Sequence, residues 1–229
     1  MKIDKVFTFG CSLSDYMWKV TKPYGQYVSE ELNAEYIHEG AGCGSNERIF
    51  RKFFQYIREG SINTSTLVTL QFTELTRGEL WFYNVVESDV AGYDGGMDMI
   101  EKYDSGGIFK YKHDSYEWNT EKALSKIMKD KTDYCLNEKF QKENSLNIIY
   151  SIIEICKLKK IPFIIINSNY NTPYKDFKND NELNVISVRD IQRNYPTFFK
   201  HTEEFDYSHL SQEGHIKLAN RILSKIKEL

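Results

Sequence analysis

Ile161 to Ile166 reads IPFIII, a continuous apolar run. A strand with one wet face alternates apolar and polar residues. An unbroken run of this kind needs both faces covered, which the interior of a parallel sheet provides. The stretch before it, SLNIIYSIIEICKL from Ser145 to Leu158, is apolar nearly all round and is expected to be a buried helix. A buried helix leading into a doubly covered strand is half of a crossover unit, and the rest of the chain supplies the other halves.

Val6 to Phe9 is a short apolar run that stops at Gly10-Cys11-Ser12, as a first strand ending in a small-residue turn. Tyr24 to Leu32 reads as helix and Glu35 to His38 as a second strand. Ser45 to Arg58 carries Ile49, Phe50, Phe53, Phe54 and Ile57 on one helical face, with Asn46, after Ser45, as a candidate cap. Leu67 to Phe72 is a third strand and Asn184 to Val188 a fifth. His215 to Leu229 is a last amphipathic helix with Ile216, Ala219, Leu223 and Ile226 together. Strands alternating with helices predict an α/β three-layer domain around a parallel sheet.

The alternation breaks between about 84 and 118, where glycines and tyrosines mix without a helical or strand period. The expected organisation is one domain, 1–229, with an irregular insertion there. Loops of that length inside a compact domain are usually functional or disordered. The spaced acidic residues Asp89, Asp94, Asp98 and Asp104 lack calcium-loop spacing, so solvated loop carboxylates are the simpler reading.

The 229 residues carry a net charge of only −3, with both signs mixed, which argues against a nucleic-acid or membrane-surface partner. No segment has the roughly 18 apolar residues of a membrane span. The N-terminus reads as a strand and not as a signal peptide, so a cytoplasmic location is expected. The oligomeric state is left open. The four cysteines, Cys11, Cys43, Cys135 and Cys156, form no CxxC pair and are expected to be free thiols. Cys11 and Cys43 both follow strands, so thiol chemistry there is a minor alternative.

Ligands of open parallel sheets bind beyond the carboxyl ends of the strands. After strand one comes Gly10-Cys11-Ser12, after strand two Gly40-Ala41-Gly42-Cys43-Gly44-Ser45-Asn46, and after strand three Gln71-Phe72-Thr73-Glu74. Before the last helix stands Asp206-Tyr207-Ser208-His209. A serine nucleophile needs a base, and the base needs a partner that fixes its tautomer. Asp206 and His209, three residues apart, supply such a pair. Backbone N–H groups at Gly44 to Asn46 can stabilise an oxyanion. Each piece has a plainer reading, since serine is a preferred helix cap and glycines serve turns. Their joint occurrence at strand ends is the informative feature.

Gly10-Cys11-Ser12-Leu13-Ser14 and the closing DYSHLSQEGHIKLANRI resemble the first and last blocks of the SGNH, or GDSL-type, hydrolases, with Cys11 in place of the family's aspartate. The resemblance implies a flavodoxin-like α/β/α sandwich with strand order 2-1-3-4-5. It implies ester hydrolysis through an acyl-enzyme, with no metal or organic cofactor. Ser12 is then the nucleophile, His209 the base and Asp206 its orienting partner. The oxyanion hole falls to Gly44, with Gly42 or the Cys43 N–H as alternatives. In the third block Thr73 stands where the family has asparagine. Thr73, Asn46 or Gln71 are the candidate replacements for that donor. Gln71, Arg77 and Arg48 are candidate contacts to a polar substrate, expected to be a small-molecule or carbohydrate ester such as an O-acetyl sugar. Tyr93, Tyr103, Tyr111, Tyr116 and Trp118 of the insertion can stack on sugar rings or, equally, form a lid packed on the body. The competing reading is a catalytically silent domain of the same fold that binds a glycan or a protein.

Overall fold

The computed structural model describes residues 2–11, 14–16, 20–41, 45–73, 78–81, 97–100, 138–167, 184–195 and 209–228. Their order is β1 (Lys5–Gly10), α1 (Tyr24–Leu32), β2 (Glu35–Gly40), α2 (Asn46–Arg58), β3 (Thr66–Leu70), β4 (Gly78–Trp81), β5 (Met97–Ile100), α3 (Glu138–Leu158), β6 (Phe163–Asn167), β7 (Val185–Ser187), α4 (Arg189–Asn194) and α5 (Gln212–Ile226).

β1, β2, β3, β6 and β7 form one sheet in the order β2-β1-β3-β6-β7, every neighbouring pair parallel. Counted among themselves these strands run 2-1-3-4-5, as the end blocks implied. Two of the interior strands, β3 and β6, are buried along their whole length, as the IPFIII run demands.

Pleating sorts the β1 side chains between two cores. Phe7 and Phe9 face Ile49 and Phe53 of α2 and Ile149, Ile152 and Ile153 of α3. Val6 lies on the opposite face, in a core built with Tyr24 and Val28 of α1, Ile191 of α4 and Leu218, Ala219 and Ile222 of α5. Two cores on one sheet make a three-layer α/β/α sandwich.

Local chemistry sets the helix ends. Ser45, not Asn46, caps α2, its side chain accepting from the Arg48 N–H; Asn46 is the first helical residue and its side chain points elsewhere. α1 follows Pro23 and ends at Asn33, whose left-handed φ of 51° suits asparagine. Gly25 lets α1 lie directly on β1, since a Cβ there would come within 2.0 Å of Thr8 Oγ1.

Some sequence expectations need correction. β3 stops at Leu70, so Gln71 and Phe72 lie beyond the strand even though both are fully buried. α3 starts earlier than expected and is not buried all round: Ser145, Ile149, Ile152, Ile153 and Cys156 face the core while Tyr150 and Leu158 are exposed. α5 buries His215, Leu218, Ala219 and Ile222, which turns Ile216 outward. The region expected to lack strand order contains β5, which pairs antiparallel with β4 from Gly78 opposite Ile100 to Trp81 opposite Met97. The remainder of 84–118 lies outside the described residues, and the tyrosines and Trp118 with it. Among the described residues no helix is long and apolar enough to cross a membrane. Cys11 and Cys156 are free and buried.

Candidate active site at the strand ends

β1, β2 and β3 are parallel neighbours, so their carboxyl ends, where the sequence placed the candidate site, lie side by side. Ser12, Gly44, Arg77 and Asp206 lie outside the described residues, as does Cys43. The described residues at these strand ends form a dense polar frame.

The β1–α1 turn is closed by the Ser14 N–H donating to the Cys11 carbonyl at 2.9 Å. Beneath it lies the amide of Gln71, wholly buried. Gln71 Oε1 accepts from the Cys11 N–H at 3.0 Å, from the Cys11 thiol at 3.2 Å and from the Ser14 hydroxyl at 3.2 Å. Gln71 Nε2 donates to the Phe72 carbonyl at 3.1 Å. Gly10 makes the approach possible, because a Cβ there would sit 2.4 Å from Ser14 Oγ and 2.9 Å from Gln71 Oε1.

Ser14 Oγ also meets the Tyr24 hydroxyl at 2.8 Å. Burial holds the Tyr24 phenol well above the ordinary tyrosine range. On the same face Thr8 and Thr69 stand opposite each other on β1 and β3 with their hydroxyls 3.1 Å apart.

β2 contributes two further groups. His38 Nε2 faces Asp15 Oδ1 at 3.1 Å and Nδ1 faces the Tyr36 hydroxyl at 3.0 Å. Both ring nitrogens are engaged, so His38 is poorly placed to serve as a general base. Glu39, buried, accepts from Arg48 Nη2 at 3.2 Å and Tyr56 OH at 2.5 Å, with Lys52 Nζ at 3.6 Å. Arg48 Nη1 also donates to the Glu39 carbonyl at 2.7 Å. Arg48 therefore bridges the two ends of the β2–α2 loop instead of presenting its charge to solvent.

Beyond β3, Asn46 and Thr73 clasp each other. The Thr73 N–H donates to Asn46 Oδ1 at 2.9 Å, and Asn46 Nδ2 donates to the Thr73 carbonyl at 3.2 Å. The Asn46 amide thus holds the backbone of Thr73. Thr73 Oγ1 is buried with no hydrogen-bond partner among the described residues. Buried hydroxyls are nearly always partnered, and each exception calls for an explanation such as strain, a catalytic role, or a bound water or ion.

The two ends of the chain meet at this place. Gln212 Oε1 accepts from the Thr21 N–H at 2.8 Å and its hydroxyl at 2.9 Å, while Gln212 Nε2 donates to the Lys22 carbonyl at 2.7 Å. One turn further along α5, His215 Nδ1 accepts from the Tyr24 N–H at 3.1 Å, and its ring stacks on that of Tyr24 at 5.9 Å. His215 is 1% exposed. Burial, with a smaller contribution from the charge of nearby His209, lowers its pKa to about 4. His215 is thus a neutral structural histidine, and half-buried His209 lies beside it at the start of α5. Ser211 caps that helix by accepting from the Gly214 N–H.

Sequence reasoning named His209, Thr73, Asn46 and Gln71 but missed Tyr24, His215, Gln212 and Glu39. The Gly214-His215 step was the one local signal for His215. Gln212, Tyr24 and Glu39 gave none, since their partners are remote in sequence or belong to another element.

The sequence matches no protein-family model and no curated protein. The structure is similar to a catalytic mutant of Axe2, an acetylxylan esterase from Geobacillus stearothermophilus, with a TM-score of 0.52 and 12% identity over 99% of this chain and 96% of that one. It is similar to a member of the lipolytic protein G-D-S-L family from Veillonella parvula, with a TM-score of 0.51 and 9% identity over 98% of this chain and 99% of that one. Both likenesses run end to end. The chain thus carries the three-layer fold of the SGNH, or GDSL-type, hydrolases.

Proposed function

We propose that the chain is a serine esterase of SGNH type that hydrolyses a small acyl ester, with O-acetyl groups on a carbohydrate as the substrate class. The observation that carries this reading is the pinning of the two chain ends. Gln212 and His215, just after His209, are bonded to Thr21, Lys22 and Tyr24, just after the Ser12 turn. A base and a nucleophile drawn from opposite ends of a chain can work together only if some such staple holds them.

In this mechanism the Ser12 hydroxyl attacks the ester carbonyl and passes its proton to the His209 imidazole. Asp206 orients that ring and stabilises the imidazolium. The oxyanion is held by the N–H groups of Ser12 and Gly44 and by the Thr73 hydroxyl. The imidazolium returns the proton to the leaving alcohol. Water, deprotonated by His209, then attacks the acyl-serine, and the imidazolium returns that proton to the Ser12 oxygen as the acid leaves. Asn46 acts by fixing the backbone of Thr73.

The acetylxylan esterase lends support in one detail. Its catalytic mutants replace an aspartate and a histidine three positions apart, and Asp206 and His209 have the same spacing. Its substrate class also motivates the acetyl-sugar assignment.

The test is turnover of p-nitrophenyl acetate by the wild type and by Ser12→Ala, with covalent capture of Ser12 by a fluorophosphonate. The expected result is loss of both in the variant. Equal rates, or a folded wild type that neither turns over nor labels, would overturn the reading in favour of a silent binding domain.

A further inference from the structure

We infer that Gln71 is the positioning residue that sets the shape of the nucleophile turn; the catalytic half of this inference rests on the esterase reading, and the structural half does not. Gln71 Oε1 collects donors from Cys11 and Ser14, the residues that bracket positions 12 and 13. One buried carbonyl therefore grips the turn on both sides of Ser12. The orientation of the amide is fixed, since a backbone N–H such as that of Cys11 can be met only by the oxygen. Its nitrogen is turned away, towards the Phe72 carbonyl.

The neighbouring residues fit this role. Gly10 leaves the space into which Gln71 Oε1 and Ser14 Oγ approach. Tyr24 meets Ser14 Oγ from the far side, so the serine hydroxyl can accept from the phenol and donate to Gln71. The Gln71 N–H in turn donates to the Phe9 carbonyl at 2.9 Å, which ties the residue to β1 itself. Full burial and this orientation argue against a direct contact with substrate, and a side chain that fixes a reacting group at short range governs rate more than affinity.

The test uses Gln71→Met, of similar length without polar atoms, and Gln71→Glu. With p-nitrophenyl acetate, Gln71→Met is expected to lose kcat by about tenfold or more at a KM within about threefold of wild type. Fluorophosphonate labelling of Ser12 is expected to slow in parallel. Gln71→Glu is expected to recover most of the rate at mildly acid pH, where a buried carboxyl stays neutral and offers the same acceptor oxygen plus a donor for Phe72. A Gln71→Met enzyme with wild-type kcat, or equal losses in both variants at every pH, would overturn the catalytic half. Iodoacetamide alkylation in the native state decides the structural half without any activity. Gln71→Met is expected to raise the rate at Cys11 while leaving Cys156, buried in the other core, unchanged. Unchanged Cys11 reactivity, or equal increases at both thiols, would overturn it. If the wild type fails to label with fluorophosphonate while Cys11 still becomes reactive in the variant, the esterase reading falls and Gln71 remains the residue that shapes the turn.

Discussion

His215 Nδ1 accepts the backbone N–H of Tyr24 at 3.1 Å, across 191 residues of sequence. This bond requires a neutral imidazole, because a protonated ring has no lone pair to offer. The closing helix is therefore fastened to the segment after β1 by a group that must stay deprotonated.

A pH dependence follows from that requirement. Burial holds His215 at about 4 in the folded chain, against roughly 6.5 unfolded. The folded state thus binds fewer protons between these values. Stability contributed by His215 is complete above about pH 6.5 and is lost as pH falls towards 4, for a total of about 3 kcal/mol. His215→Asn keeps an acceptor and removes the titration. Urea denaturation at pH 7 and pH 4.5 is expected to show a smaller fall for the variant than for the wild type.

Gly10 makes a sharp steric prediction. A Cβ at 2.4 Å from Ser14 Oγ cannot be accommodated by moving the end of a long side chain, since the serine is short and tied to both Tyr24 and Gln71. Gly10→Ala is expected to cost about 1–3 kcal/mol, the usual range for overpacking, read as a lower thermal midpoint.

Glu39 is the hub of a buried charge cluster. Removing its carboxylate leaves the part-buried Arg48 guanidinium and the buried Lys52 ammonium without the anion they share. Glu39→Gln is expected to destabilise by about 3–5 kcal/mol. Arg48→Met is expected to cost less, because Lys52 and Tyr56 still serve Glu39. Chemical denaturation of the two variants side by side checks the order.

The parts of this fold that are local in sequence are legible in the residues themselves. Strand and helix periods recur within a few positions, so the α/β alternation can be read directly from the chain, whereas the sheet order is implied only by the resemblance of the end blocks to a known family. Apolar character is a poorer guide to geometry. Phe72 is as buried as a strand residue, yet β3 ends at Leu70, where its pairing with β6 ends. α3 carries apolar residues on most sides, yet only one stripe meets the sheet. The proposed site divides in the same way. Ser12, Asp206 and His209 sit in short blocks that resemble those of a known family. Gln71 and Asn46 stand out for their chemistry, but their work is done on the backbones of Cys11 and Thr73, and no sequence spacing reports a side chain's remote backbone partner.

Thr73 gives the most discriminating prediction. Its hydroxyl is buried with no partner among the described residues, so no bond to them offsets its desolvation. Replacing it with the isosteric, apolar valine is expected to leave stability unchanged or raise it slightly. If the hydroxyl donates to the oxyanion, the same change is expected to lower kcat on the order of a hundredfold, the usual effect of losing one such donor. Asn46→Ala provides the contrast. It leaves the buried Thr73 N–H unpaired, which is expected to cost about 1–3 kcal/mol, and it lowers the rate only through displacement of Thr73. Denaturation and p-nitrophenyl acetate kinetics on both variants separate the two roles. A Thr73→Val protein that is less stable and fully active would mark the hydroxyl as structural, whereas one that is stable and slow would identify it as the donor that replaces the family's asparagine.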